Sequence, residues 1–415
     1  MQWVYEMEEY LRLVEEQIRF KKAIPYIRQE LKAHIEDQMQ DNICHGMDKE
    51  KALEEAVKEM GDPVETGVSL DHVHRPKVAW DLVLIILVIS IMGIFLQSSG
   101  IYTVSILAGL ALMTVLYRLD YTFIIRHAGS IAIILTGLAV FLRIGHFYNS
   151  TVSALMLIYV PVYAAIVYQY RNSGSAGLIK AVAWTVAPLI IIAKTNCYDT
   201  VFVYCTSTLV VLITGIRNRW FKIQEKKAIS GVSLAYAVEL LVSEAYISYT
   251  ASFGKGIYIF YTDPDNYMNH ISTGLKTLMK SCKLIGKSDS RLTEMTTNLK
   301  YEYMLAYINS NYGLIVGALI CVLLLVFAAG FFYAALNQKN QAAKAMGCSM
   351  GTVLLMNMII NILMNFGLIP VCSAPLTFFS AGTSYILMYY AMLGVVLSIY
   401  RYKNIYPIHL SIVRR

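Results

Sequence analysis

A chain of 415 residues that is 57% hydrophobic and only 15% charged, at a mean hydropathy of +0.52, is too apolar for a soluble globular protein, in which about a quarter of residues are charged. Charge is unevenly placed: residues 1–77 hold 11 of the 35 Lys/Arg and 17 of the 28 Asp/Glu, leaving 24 and 11 for residues 78–415. The positive excess lies in short loops between apolar runs, which argues against a nucleic-acid partner and for a domain boundary near residue 77.

The N-terminal region begins with Glu6, Glu8, Glu9, Glu15 and Glu16 and no apolar signal core, so no cleavable signal peptide is expected and the N-terminus is expected in the cytoplasm. Apolar residues at helical spacing (Leu11, Val14, Ile18; then Ile24, Ile27, Leu31, Ile35) predict amphipathic helices over 6–19, 24–41 and 49–60. Pro25 suits a first turn, Asp48 an N-cap, and Gly61-Asp62-Pro63 a stop. A small cytoplasmic helical bundle over 1–77 follows. Its sequence, from "QIRFKKAIPYIRQELKAHIEDQ" to "GMDKEKALEEAVKEMGDPVETGVSLDHVHRPK", resembles the permease prefix domain that precedes membrane segments in Firmicutes. The seven cysteines have no CxxC spacing, so neither a zinc site nor a disulfide framework is indicated, and Cys44-His45 reads as a helix end.

Apolar runs lie near 79–98, 101–117, 128–145, 151–169, 177–193, 199–216, 228–250, 303–335, 347–370 and 376–400. They predict an all-α, polytopic membrane protein with about ten transmembrane helices. The loop charges alternate: Arg118 and Arg126; Arg171 and Lys180; Arg217, Arg219, Lys222, Lys226 and Lys227; Lys339 and Lys344; and the tail Arg401, Lys403, Arg414 and Arg415 fall on one side. The positive-inside rule makes that side cytoplasmic, with both termini inside and the long segment 251–302 outside. That segment carries seven basic residues, Lys255, Lys276, Lys280, Lys283, Lys287, Arg291 and Lys300. It reads as a solvated loop or as a surface for anionic lipid headgroups.

Toward the C-terminus, "NFGLIPVCSAPLTFFSAGTSYILMYYAMLGVVLSI" (Asn365–Ile399) resembles the "GLLPVTGIPLPFISYGGSS" segment of the SEDS family, FtsW, RodA and SpoVE. Gly367, Pro370, Pro375, Phe378, Ser380, Gly382 and Ser384 stand at matching positions. "YEYMLAYINSNYGLIVGALI" (Tyr301–Ile320) is similar to "TDFIFAVIGEELGLIGALL", "RLDYTFIIR" to "DYRLLRR" and "LIGKS" to "LFGKG", in family order over residues 80–403.

The resemblance implies a peptidoglycan glycosyltransferase that polymerises lipid II beside a class B penicillin-binding transpeptidase, in division, elongation or sporulation. It aligns Glu302 with the family's catalytic Asp, as general base on the acceptor sugar hydroxyl. Lys287 is then expected to hold the lipid pyrophosphate, alone or with a divalent cation, and Ser380 and Ser384 to contact substrate after serving packing. The family's "QPSELAK" aligns with "YNSTVSA", which puts Thr151 and Ala154 where the family has Glu and Lys. Two other readings stay open: an inactive SEDS-like scaffold whose prefix domain makes the cytoplasmic contact, and a lipid-linked carrier that uses Glu239, an ionisable residue inside the seventh run. Glu244 is expected near the interface, and Asp120 as a structural cap or ion pair.

Overall fold

A computed structural model describes residues 2–145, 148–250, 265, 267–288, 302–372, 374–380 and 382–409. Two compact units emerge, Met1–Val78 with Gln338–Gln341 and Tyr400–Arg415, and Ala79–Asn337 with Ala342–Ile399.

The first unit holds α1 (Gln2–Gln17), α2 (Ile24–Cys44), α3 (Lys49–Glu59) and α4 (Pro63–His74). Leu11, Val14, Ile27, Leu31, Ile35 and Leu53 form its core, the same stripe that the spacing predicts. Asp48 caps α3 by accepting from the Glu50 N–H. The expected stop at Gly61 is followed directly by a helix that periodicity does not announce, because Asp62 accepts from the N–H groups of Val64 and Glu65 and Pro63 opens the first turn of α4. The buried Asp71 carboxylate accepts from the Arg19 N–H at 2.9 Å and from the Arg75 guanidinium at 2.8 and 3.0 Å, joining α4 to the end of α1. The tail belongs here as well. Tyr402 and Tyr406 pack on Phe20 and Tyr26, Lys77 N–H donates to Arg401 O, and Asn404 Nδ2 donates to Val73 O.

The second unit runs through α5 (Trp80–Gln97), α6 (Gly100–Arg118), α7 (Thr122–Arg126), α8 (Ala128–Ile144), α9 (Asn149–Gln169), α10 (Gly174–Ala193), α11 (Tyr198–Arg217), α12 (Glu225–Thr250) and α13 (Tyr267–Ser281). It continues with α14 (Met304–Tyr312), α15 (Leu314–Leu336), α16 (Gln341–Asn365) and α17 (Thr383–Arg401). Among the described residues nine helices are long and apolar enough to cross a membrane, and α8, at 17 residues, is a shorter apolar tenth. Helices α9 and α17 are sheathed on nearly all sides, whereas Ile91, Phe95, Ile101, Leu107, Leu234, Leu241 and Leu319 point outward. Apolar side chains turned out in such number mark lipid as the solvent. Asp120 caps α7 through Thr122 N–H and Oγ1, as its position before that helix suggests.

Three expected spans are redrawn. The run 303–335 is two helices, broken at Gly313, whose φ of 100° and lack of a Cβ let the Leu284 carbonyl approach closely. The run 347–370 is helical over Gln341–Asn365, and 376–400 over Thr383–Arg401. The stretch between them is apolar but cannot be helical across Pro370 and Pro375.

Candidate functional site

The N-termini of α9, α11 and α17 meet the connection 366–382 at one end of the second unit. Thr151 Oγ1 and Ser384 Oγ share a hydrogen bond of 2.9 Å, which links the first turns of α9 and α17. Tyr198 donates its hydroxyl to Pro370 O. Asp199, 2% exposed in the first turn of α11, accepts from Thr200 Oγ1 at 3.4 Å and stands close enough to Tyr198, Tyr385 and Cys372 to act on each electrostatically. A carboxylate there faces the positive end of the helix dipole. Burial, reinforced by Asp199, holds the Cys372 thiol well above its ordinary range, so it stays protonated and is no nucleophile.

The connection itself is held by side chains that reach its backbone. Gln97 Nε2 donates to Phe379 O at 2.7 Å, Tyr102 OH to Phe378 O, and Asn361 Nδ2 to Ala374 O at 2.9 Å. These contacts satisfy carbonyls that a non-helical apolar segment would otherwise leave buried and unpaired. Phe378 adopts φ 64°, a left-handed conformation that costs a branched or bulky residue energy, and its ring is locked against Phe327, Tyr389 and Tyr390. Ser380 accepts from the Leu376 N–H at 2.8 Å and is 3% exposed, so its hydroxyl is committed to shaping this turn. Gly367, at φ 64°, sits where a Cβ would meet the Ser272 carbonyl of α13.

Glu302 is exposed, two residues ahead of α14, and makes no hydrogen bond or ion pair among the described residues. The helix it precedes is firmly placed. Its N–H at Ala306 donates to Asn365 Oδ1 at 3.0 Å, and Asn365 Nδ2 donates back to Asn361 O at 2.8 Å. At the other end of α14, residues 283–288 form a strap: Gly286 N–H donates to Tyr312 O, Ser288 N–H to Ser310 O, and Leu314 and Ile315 N–H to Lys283 and Leu284 O. The last two bonds satisfy the opening N–H groups of α15. Lys287 is exposed on this strap, beside Asn311. Glu302 and Lys287 therefore flank α14 from opposite ends, separated by about nine residues or roughly 13 Å of helix. Lys255, Arg291 and Lys300 of the basic segment lie outside the described residues.

Glu239 stands apart from this end. It accepts from Thr185 Oγ1 at 3.2 Å, bridging α10 and α12 beside Cys205 and Tyr236, while Glu244 accepts from Ser248 on its own helix. Ala154 is buried, so the position where the resemblance expects a lysine lines the core instead. Among the described residues no three His, Cys, Asp or Glu side chains gather as a metal site would. Asp199 and the asparagines of α16 are additions that sequence reading missed. The one available signal was an asparagine at every fourth residue, Asn357, Asn361 and Asn365, inside an apolar run.

Residues 150–405 match the cell cycle protein family of FtsW, RodA and SpoVE. A probable peptidoglycan glycosyltransferase FtsW from Enterococcus hirae is 35% identical over 99 residues, 24% of this chain and 25% of that protein. The match thus spans about a quarter of that curated relative's length. A solved structure from work on the structural coordination of polymerization and crosslinking by a peptidoglycan synthase complex superposes with a TM-score of 0.59, at 15% identity, over 78% of this chain and 98% of its own. At that identity the likeness is one of fold.

Proposed function

The chain belongs to the FtsW/RodA/SpoVE cell cycle protein family, a multi-pass bacterial membrane protein, and on that premise we propose that it is a peptidoglycan glycosyltransferase that polymerises lipid II. The observation that carries this reading is the hold on α14: an exposed carboxylate, Glu302, heads a helix that Asn365 caps at one end and the 283–288 strap secures at the other. A general base must be presented to substrate from a rigid element, and α14 is such an element.

In this reading both termini are cytoplasmic and the site opens to the outer face, because the loop charges cluster on the other side. Glu302 takes the proton from the acceptor sugar hydroxyl as that oxygen attacks the anomeric carbon of the donor, and the lipid pyrophosphate departs. Lys287, a helix length away, offers positive charge to the pyrophosphate, alone or with a divalent cation. Ser384, with Thr151, presents hydroxyls toward the sugars, and Ser380 acts through the turn it builds. A penicillin-binding transpeptidase is the proposed partner, and the acidic bundle of residues 1–77 is the proposed cytoplasmic module.

The scaffold reading has its own support. Thr151 is bonded to Ser384 and Ala154 is buried, so neither position offers the carboxylate or the ammonium that the resemblance expects there. One assay separates the two. Purified chain reconstituted with lipid II is expected to yield glycan polymer on a gel; a folded, lipid II-binding chain that makes none would establish the scaffold.

A further inference from the structure

On the face of the bundle between α8 and α10, a groove of about 590 Å³ is lined by Thr136, Gly137, Tyr159, Lys180, Trp184 and Tyr170, with further apolar side chains completing its walls. The volume falls in the range of small-molecule sites, roughly 300–1,000 Å³. Its floor is built, not accidental. Tyr159 OH donates to Trp184 O at 2.8 Å, which fixes the ring across the groove, and Trp184 Nε1 donates to the Tyr170 hydroxyl at 3.0 Å. A Cβ added at Gly137 meets nothing within 4 Å, so the space above that helix face is open.

The two ends of the groove differ in chemistry. Tyr170, at the α9–α10 turn, and Lys180, in the second turn of α10, mark one end, and Pro188 lies about two helical turns deeper along α10. Tyr170 receives the indole N–H, which leaves its own hydroxyl proton to donate, and no acceptor for it stands among the described residues. Lys180 is exposed, with no carboxylate within ion-pair reach among the described residues. A cation and an O–H donor thus sit at the mouth of an apolar channel that otherwise offers only side-chain surface.

We propose that this groove holds one anionic glycerophospholipid, its phosphate on Lys180 and Tyr170 and an acyl chain laid over Gly137 toward Tyr159. The occupant is a bilayer lipid because the groove opens sideways into the apolar face of the spans, and an anionic one because the mouth carries positive charge and donors. By the loop charges this mouth lies in the cytoplasmic leaflet, away from the proposed polymerisation site. The groove therefore stands or falls independently of the catalytic reading.

Trp184 supplies the probe. The full chain with Trp3, Trp80 and Trp220 replaced by Phe, reconstituted in vesicles, reports quenching by brominated phosphatidylglycerol or brominated phosphatidylcholine. Brominated phosphatidylglycerol is expected to occupy the groove with about five-fold preference, the discrimination one lysine near a headgroup typically gives. Lys180→Gln should abolish the preference while quenching persists, and Gly137→Leu, which fills open space, should weaken quenching by both lipids. Equal quenching by the two lipids, or a preference that survives Lys180→Gln, overturns the proposal. So does displacement of brominated phosphatidylglycerol by a trace of polyprenyl phosphate, which would identify the occupant as a carrier lipid. If the triple Phe variant does not fold, native mass spectrometry of the unaltered chain from mixed vesicles gives the same reading: one retained phosphatidylglycerol, lost in Gly137→Leu.

Discussion

Asn365 Oδ1 accepts from the Ala306 N–H at 3.0 Å, so a side chain at the end of α16 caps the first turn of the helix that Glu302 precedes. The same amide donates back to Asn361, whose own amide holds the Ala374 carbonyl, so one buried ladder fixes both α14 and the connection 366–382. Asn365→Leu keeps the volume and deletes the acceptor, which strands the Ala306 N–H in an apolar interior at a cost of about 1–3 kcal/mol. The detergent-solubilised variant should melt lower than the parent, and lipid II polymerisation should fall with it. An unchanged melting temperature would show that the cap carries no load.

The Thr151–Ser384 bond ties α9 to α17 at the position where the sequence resemblance expects a glutamate. Thr151→Val and Ser384→Ala each remove one hydroxyl, and the double variant removes both. A double-mutant cycle on thermal stability should return a coupling of about 0.5–1.5 kcal/mol, the usual worth of one such bond. Strict additivity would mean that the hydroxyls do not depend on each other.

Much of this architecture is written in run length. An apolar stretch of about 20 residues has one low-energy form in lipid, so the spans from α5 to α12 sit within a few residues of their predicted limits. What composition hides is where an apolar stretch stops being helical. The run 303–335 breaks at Gly313, just after the polar Asn309-Ser310-Asn311, a signal that run length passes over, and the distant Lys283 and Leu284 carbonyls satisfy the break. The stretch from Gly367 to Ser380 survives without helix because Gln97, Tyr102, Tyr198 and Asn361 supply its hydrogen bonds from elsewhere in the chain. Glu302 and Ser384 were reachable through motif resemblance. Asp199, one of many polar residues at helix starts, gains meaning only when Tyr385 and Cys372 are seen beside it.

The proposed orientation in the bilayer rests on loop charge and is open to labelling. Lys287→Cys on the strap should react with a membrane-impermeant maleimide in intact cells, whereas Lys227→Cys, in the first turn of α12, should react only after permeabilisation. Both positions are exposed in the fold. The reverse pattern would invert the whole topology and remove the site from the outer face.

Asp71 gives the first unit a pH dependence of definite sign. Burial alone would raise its carboxyl, but the Arg19 N–H and the Arg75 guanidinium outweigh it and hold the group below its ordinary value of about 3.9. The stabilisation is therefore complete above about pH 4 and is lost as pH falls through the lower folded-state value. Hydrogen exchange in the full chain should show protection in α4 dropping in that window, and Asp71→Asn should flatten the dependence. Equal acid sensitivity in Asp71→Asn would assign the effect to other carboxylates.

Glu302 carries the test of the chemistry. Its carboxylate is exposed and stands at the head of a fixed helix, so Glu302→Gln removes a proton acceptor while sparing volume, and no described contact depends on its charge. If it is the base, turnover should fall by at least about 100-fold, within the range that general-base catalysis commonly supplies, with lipid II binding largely retained. Glu302→Asp withdraws the oxygens by about 1 Å, a displacement able to cost 100-fold on its own when a site is built for the longer side chain. A site built instead for the shorter carboxylate of the family would tolerate Asp or gain from it. The ratio of the two variants thus reports both role and geometry: Gln inactive with Asp active assigns the base, whereas Gln as active as the parent removes Glu302 from the mechanism and turns attention to the buried Asp199.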